Sequence, residues 1–220
     1  MGKKIGVLLS GCGVMDGAEI HESVLTLLAI DNAGAEAVCM APNADQLHVI
    51  NHLTNQPTGE KRNCLVEAAR IARGKIKDLA QVKAADIDAL VIPGGYGAAK
   101  NLCTWAIEGN NCKVHPEVRR LIREIVAAKK PLAAICISPV VVAKVLEDDM
   151  LQPALTIGND SETASNLQAM GADHQDCPVK EFVVDEKNKI VSTPAYMLAR
   201  SISEAAVGIE KMIKKLIEMA

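Results

Sequence analysis

The run Pro131-Leu-Ala-Ala-Ile-Cys136-Ile-Ser-Pro139 constrains this chain more than any other segment. An unbroken apolar stretch reads as a buried strand, and it passes through a single cysteine into an apolar helix. So abrupt a passage needs a sharp turn, which pushes the turn side chain out at the carboxyl end of the sheet. The first free N–H groups of the following helix then point back at it. Pro139 suits the first helical turn, where a missing N–H costs nothing. A helix N-terminus lowers a thiol's pKa below its ordinary ~8.5, so the expectation at Cys136 is a thiolate. The competing reading is an inert cysteine closing a core strand, a common place for this residue type.

The remaining pattern tells what sheet this turn belongs to. Short apolar runs alternate with helical periodicity, as in a mostly parallel sheet covered on both faces, an α/β three-layer sandwich. Strands are expected at Ile5 to Ser10, Ala35 to Ala41, Asp88 to Pro93, Pro131 to Ile135, Ala154 to Ile157, Phe182 to Val184 and Ile190 to Thr193, with a short extra strand at Leu47 to Ile50. Helices are expected over Ala18 to Ala33, Asn63 to Arg73, Ala98 to Glu108, Pro116 to Lys129, Ser138 to Leu146 and Leu198 to Met219. In the first of these Ile20, Val24, Leu27 and Leu28 share a face, and in the last Ile202, Ala206, Ile209, Ile213 and Leu216 do. Asp185 to Lys189 reads as a hairpin-like turn. The chain shows no repeat, linker or low-complexity stretch, so residues 1–220 read as a single domain.

Composition excludes several classes. Of the 220 residues 49% are apolar but only 2% are aromatic, so the core must be built from aliphatic side chains. Lys and Arg total 24 against 27 Asp and Glu, interspersed, which implies neither a nucleic acid nor a membrane partner. The apolar run Ile5 to Leu9 is too short for a signal peptide. Seven cysteines without paired spacing point to free thiols in a reducing compartment, read here as the cytoplasm.

Three loops at carboxyl ends of strands converge on one candidate site: Gly11-Cys12-Gly13, Gly94-Gly95-Tyr96-Gly97 and Cys136. Gly94 and Gly95 lack a Cβ, so their backbone can approach a ligand closely and aim N–H groups at an oxyanion; equally, they can serve a tight turn. Cys12 is a candidate resolving thiol or a turn cysteine. The dinucleotide fingerprint is incomplete because Asp16 stands where a glycine is needed, and Ala99 breaks a phosphate-binding loop before Lys100. Cys103, Cys112 and His115 lack zinc spacing. No metal or organic cofactor is expected.

Ala133 to Pro139, Pro93-Gly94-Gly95 with Lys100-Asn101-Leu102, and Glu22 followed by a helix ending at Ala33-Gly34 resemble the PfpI-like superfamily, with its flavodoxin-like, class I glutamine amidotransferase-like fold. Longer stretches, among them Ile5 to Gly17, Glu19 to Glu22, Val49 to Leu53 and Thr193 to Met197, are similar to its glyoxalase-like subgroup linked to isoprenoid biosynthesis. The resemblance implies a homodimer, a cysteine nucleophile at Cys136 and an acidic partner at Glu22, with Glu19 and His21 as alternatives set by helix register. It implies a lyase of the glyoxalase type, acting on a small aldehyde without a cofactor. The chain departs from the superfamily's hydrolytic members at Asn159, where a histidine is expected, and amide hydrolysis becomes harder without an imidazole. The alternatives are a non-catalytic redox sensor or regulator on the same fold, and an amide hydrolase.

Overall fold

The computed structural model describes residues 2–220. Eleven strands and seven α-helices alternate along them. β1 (Lys4–Leu8) leads to α1 (Ile20–Asn32), β2 (Glu36–Ala41), a small hairpin of β3 (Ile50–Asn51) and β4 (Gln56–Pro57), α2 (Cys64–Ile71), β5 (Ile76–Asp78) and β6 (Ala89–Ile92). Then come α3 (Trp105–Glu108), α4 (Pro116–Ala127), β7 (Leu132–Ile135), α5 (Pro139–Glu147), β8 (Ala154–Leu155), α6 (Ser161–Ala169), β9 (Asp173–His174), β10 (Val183–Asp185), β11 (Ile190–Thr193) and α7 (Ile202–Met219).

Seven strands form the central sheet in the order β10-β11-β7-β6-β1-β2-β5, and all neighbours are parallel except β10 and β11. The chain leaves β1 toward β2 and later returns to its other side as β6. Right-handed crossovers in these two directions place helices on opposite faces, with α1 and α7 packed together on one and α4 and α5 on the other. β6, β7 and β11 are buried along their whole length; β6 and β7 are unbroken apolar runs, and in β11 the Ser192 hydroxyl accepts the Thr156 N–H while the Thr193 hydroxyl donates to the Glu181 carbonyl. The order of strands reverses beside β1, and in open α/β sheets the crevice outside the carboxyl ends there takes the ligand.

Several elements differ from expectation for identifiable reasons. In α1 the expected apolar face is turned outward: Ile20, Val24 and Leu28 are 43%, 49% and 51% exposed, while Glu22, Ser23 and Thr26 are buried. The helix is rotated so that Glu22 aims at the strand ends, and that placement overrides the hydrophobic period. The helix expected over Ala98 to Glu108 is a π-helical turn at Ala98–Leu102, then a break at Cys103, then the single turn of α3. The break lets Cys103 bridge to Val114, and the Leu102 carbonyl accepts the His115 N–H. The strand expected at Ala154 to Ile157 lies outside the main sheet, in a two-stranded pair with β9. α7 starts four residues later than expected, capped by Ser201, and leaves Ile202 half-exposed. α6 and β5 have too few apolar residues to announce themselves.

Candidate active site

Cys136 sits between β7 and α5 with φ of +60°. For a residue with a Cβ the left-handed region costs on the order of 1–2 kcal/mol, so the surroundings must hold it there. They do so on both sides. The Cys136 N–H donates to the Thr193 carbonyl at 3.0 Å, extending the β7–β11 ladder by one residue. The buried Ser138 hydroxyl donates to the Ile92 carbonyl at 2.7 Å and accepts the Ile135 N–H at 2.8 Å, locking the ends of β6 and β7 together. Pro139 opens α5, as the sequence predicts.

Glu22 comes from the first turn of α1 and is fully buried. Its Oε2 accepts the Gly94 N–H at 2.9 Å and its Oε1 the Tyr196 N–H at 3.2 Å. Ala195, which delivers that second N–H, also holds a positive φ, of 42°. Gly94 lies between Glu22 and Cys136: a Cβ on it would stand 2.5 Å from Cys136 Cβ and 2.7 Å from Glu22 Oε2. Both side chains thus stand against the same gap. Burial, reinforced by the charge of Glu19, pushes the Glu22 carboxyl up to about 8, so it carries its proton at neutral pH. Burial and the neighbouring Glu22 charge also push the Cys136 thiol well above the usual thiol range, while the Gly95 and Ile137 N–H groups facing the sulfur pull the other way. The expected thiolate is therefore corrected. Cys136 is only 8% exposed, and losing water costs its anion more than the helix N-terminus returns.

The structure brings Cys136, Glu22, Gly94, Gly95 and Glu19 together and leaves Cys12 and Asn159 outside. The Gly94 N–H is spent on Glu22, so the donors turned toward the thiol are Gly95 and Ile137, the latter missed in the sequence although it directly follows the cysteine. Gly95 holds φ of +91°, and a Cβ there would come 2.5 Å from the Glu19 nitrogen, so only glycine fits. Glu19 caps α1, its Oε2 accepting the Glu22 N–H at 2.6 Å. Cys12 is half-buried, and its charged surroundings are Glu67, Arg70 and Asp16. Its glycine turn acts as a support: the Gly13 N–H donates to the Ala18 carbonyl and the Val14 carbonyl accepts the Tyr96 N–H. Asn101 tethers the same loop through the Ser10 and Asp16 carbonyls, each at 2.8 Å. Asn159 is exposed, and its neighbour Asp160 reaches the site instead.

A cavity of about 430 Å³ opens onto Cys136, walled by Glu19, Tyr96, Trp105, Asp160, Glu162 and Tyr196 among others. Tyr96 belongs to the converging glycine loop expected from the sequence, but Trp105, Asp160, Glu162 and Tyr196 were missed. Their signal was available in the scarcity of aromatics, since Tyr96, Trp105 and Tyr196 are three of only four in the chain. Among the described residues no three His, Cys, Asp or Glu side chains converge as metal ligands. The thiol, a protonated carboxyl beside it and two converging N–H groups can together add to a carbonyl carbon, hold the resulting oxyanion and exchange a proton with it.

Comparison with known proteins places this arrangement. The chain is 45% identical to the human glutamine amidotransferase-like class 1 domain-containing protein 3, mitochondrial, covering 98% of this chain and 83% of that one. It is 33% identical to the zebrafish ES1 protein, mitochondrial, covering 98% and 85%. A solved Ehrlichia chaffeensis structure, of an isoprenoid biosynthesis protein with amidotransferase-like domain, superposes with a TM-score of 0.92 at 41% identity over 99% of this chain and 100% of that one. Drosophila melanogaster DJ-1beta shares the fold, with a TM-score of 0.58 at 20% identity over 100% and 96%. The mitochondrial relatives overturn the cytoplasmic expectation. Free thiols report a reducing environment, and that alone does not single out the cytoplasm. The DJ-1/PfpI family model matches residues 12–195, and the chain belongs to that family.

Proposed function

We propose that the protein is a cofactor-independent, glyoxalase-type lyase that converts glyoxal-like dicarbonyls to hydroxy acids. The observation that carries this reading is Glu22, a carboxyl that keeps its proton at neutral pH and lies against Cys136. In the proposed sequence, the Cys136 thiol gives its proton to solvent as the sulfur bonds to one aldehyde carbon of glyoxal, and that carbonyl oxygen becomes an alkoxide facing the Gly95 and Ile137 N–H groups. Glu22 protonates it, giving a thiohemiacetal. The resulting Glu22 carboxylate removes the hydrogen on the sulfur-bearing carbon and passes it to the second aldehyde oxygen, forming an enediol. Glu22 then takes the hydroxyl proton from the sulfur-bearing carbon and delivers a proton to the adjacent carbon, giving a glycolyl thioester; water cleaves it, its hydroxyl going to the acyl carbon and its proton to the sulfur, and Glu22 regains a proton from solvent. One glyoxal and one water thus become one glycolic acid, with no net redox change.

Two features favour this reading over the alternatives. A sensor cysteine gains from exposure and thiolate character, and Cys136 has little of either. Amide hydrolysis needs a proton donor for a leaving amine, and no histidine lines the cavity. The relative from Ehrlichia chaffeensis supports placing the activity beside isoprenoid biosynthesis, and the family resemblance supports a homodimer, to be read by light scattering after gel filtration. The test is to incubate reduced protein with glyoxal and follow glycolate. Turnover should persist with chelators and without glutathione, and vanish in Cys136→Ala. Equal turnover in Cys136→Ala would reject the proposal.

A further inference from the structure

The cavity in front of Cys136 is chemically lopsided. Three carboxyl-bearing side chains wall it, Glu19, Asp160 and Glu162, and no Lys, Arg or His does. Asp160 and Glu162 have a local reason to stand there, as N-cap and first-turn acid of α6. Hydrogen bonds from Thr163 hold the Asp160 carboxyl below its ordinary range, so it stays charged. Glu19 is different. It is nine-tenths buried, its Oε2 is taken by the Glu22 N–H, and no donor among the described residues reaches its Oε1. That oxygen faces the open space of the cavity, where a donor on a bound ligand can reach it.

The aromatic residues make the second, independent observation. A chain with four aromatic side chains places three of them, Tyr96, Trp105 and Tyr196, around this one cavity. Ring faces attract cations, and packed together with carboxylates they make a site that favours an organic ammonium over an anion. Tyr96 already serves one cation in this way from outside the cavity wall: Lys100 Nζ lies 5.3 Å from its ring centre and is held by the Met15 carbonyl. His21, likewise outside the wall, meets the Tyr196 hydroxyl at 2.7 Å.

We propose that the natural ligand is an aldehyde carrying a positively charged ammonium group, the aldehyde carbon meeting Cys136 and the ammonium meeting Glu19, Glu162 and the aromatic wall. The cavity could hold on the order of ten waters, far more than the four heavy atoms of glyoxal need, so glyoxal would be only its smallest substrate. The proposal rests on Cys136 as the reacting group and extends that reading to the rest of the substrate.

The test uses alkylating probes, which need no turnover. Cys136 is treated at low salt with 2-bromoethylammonium, iodoacetamide or iodoacetate, and its modification is followed residue by residue by mass spectrometry. Each rate is divided by that reagent's rate on glutathione. The normalised preference for the cation over iodoacetate should be at least about tenfold, and should shrink in Glu19→Gln, Glu162→Gln and Tyr96→Leu and in high salt. Glu162→Gln and Asp160→Asn keep the start of α6 intact, so the test survives if Glu19→Gln does not fold. A normalised iodoacetate rate equal to or above that of the cation, or a cation preference indifferent to these carboxylates, would overturn the proposal. A preference that holds while glyoxal is not turned over would reject the lyase reading alone. No modification of Cys136 by any reagent would reject both.

Discussion

Glu22 and Cys136 meet across the bare backbone of Gly94, and each depends on the absence of a side chain there. Placing a methyl group on Gly94 would set it 2.9 Å from the Ile135 carbonyl oxygen as well, so neither neighbour can yield without moving β7. Gly94→Ala is expected to cost about 1–3 kcal/mol, the range for an overpacked interior, and to abolish turnover. Denaturant midpoints and a glycolate assay on the same preparation check this. Full activity in a stable Gly94→Ala protein would mean that the two side chains need not be in contact.

The burial of Glu22 has a consequence for stability against pH. A carboxyl whose folded value is about 8, against roughly 4.3 unfolded, keeps its proton in the native state while the unfolded chain loses it. The unfolded state therefore binds fewer protons across this window, and stability falls as pH rises, by up to about 1.4 kcal/mol per unit from this group. The contribution is complete below pH ~4 and gone above the folded value. Glu22→Gln cannot ionise, so its melting temperature relative to wild type should rise steadily from pH 5 to 8 and then level off. A difference independent of pH would show that Glu22 ionises normally.

The same substitution should divide thiol reactivity from catalysis. Above about pH 8, where Glu22 ionises and its charge helps to hold the Cys136 thiol high, Glu22→Gln is expected to alkylate faster at Cys136 than wild type, and near pH 7, where Glu22 keeps its proton, at a similar rate. Glyoxal turnover should fall by about 10²-fold or more, because the amide has no proton to transfer. Parallel rates of iodoacetamide labelling and glycolate formation read the two effects. If both fell together, Glu22 would be activating the thiol and not moving the substrate's protons.

What was legible in the sequence followed from steric necessity. Cys136 stands where an apolar strand becomes a helix within three residues, and Gly95 stands where only a residue without a Cβ can pass Glu19. Both could be read without a structure. The rotation of α1 could not, because Ile20, Val24 and Leu28 form a regular stripe that hydrophobicity would bury, whereas the buried face is chosen by one carboxyl far away in sequence from Gly94. Nor could the spent N–H of Gly94 or the raised thiol, which depend on contacts among three separate loops. Trp105 was read as part of one continuous helix, and the break at Cys103 precedes the short turn that brings it to the cavity.

The most direct test of the proposed chemistry is glyoxal turnover in deuterium oxide, followed by proton NMR of the glycolate formed. An enediol stage takes the new hydrogen on carbon from an exchangeable carboxyl, so the account predicts glycolate with one deuterium on its methylene carbon, dependent on both Cys136 and Glu22. Glycolate that keeps both of its carbon-bound hydrogens, or that forms equally well with Cys136→Ala, would contradict it.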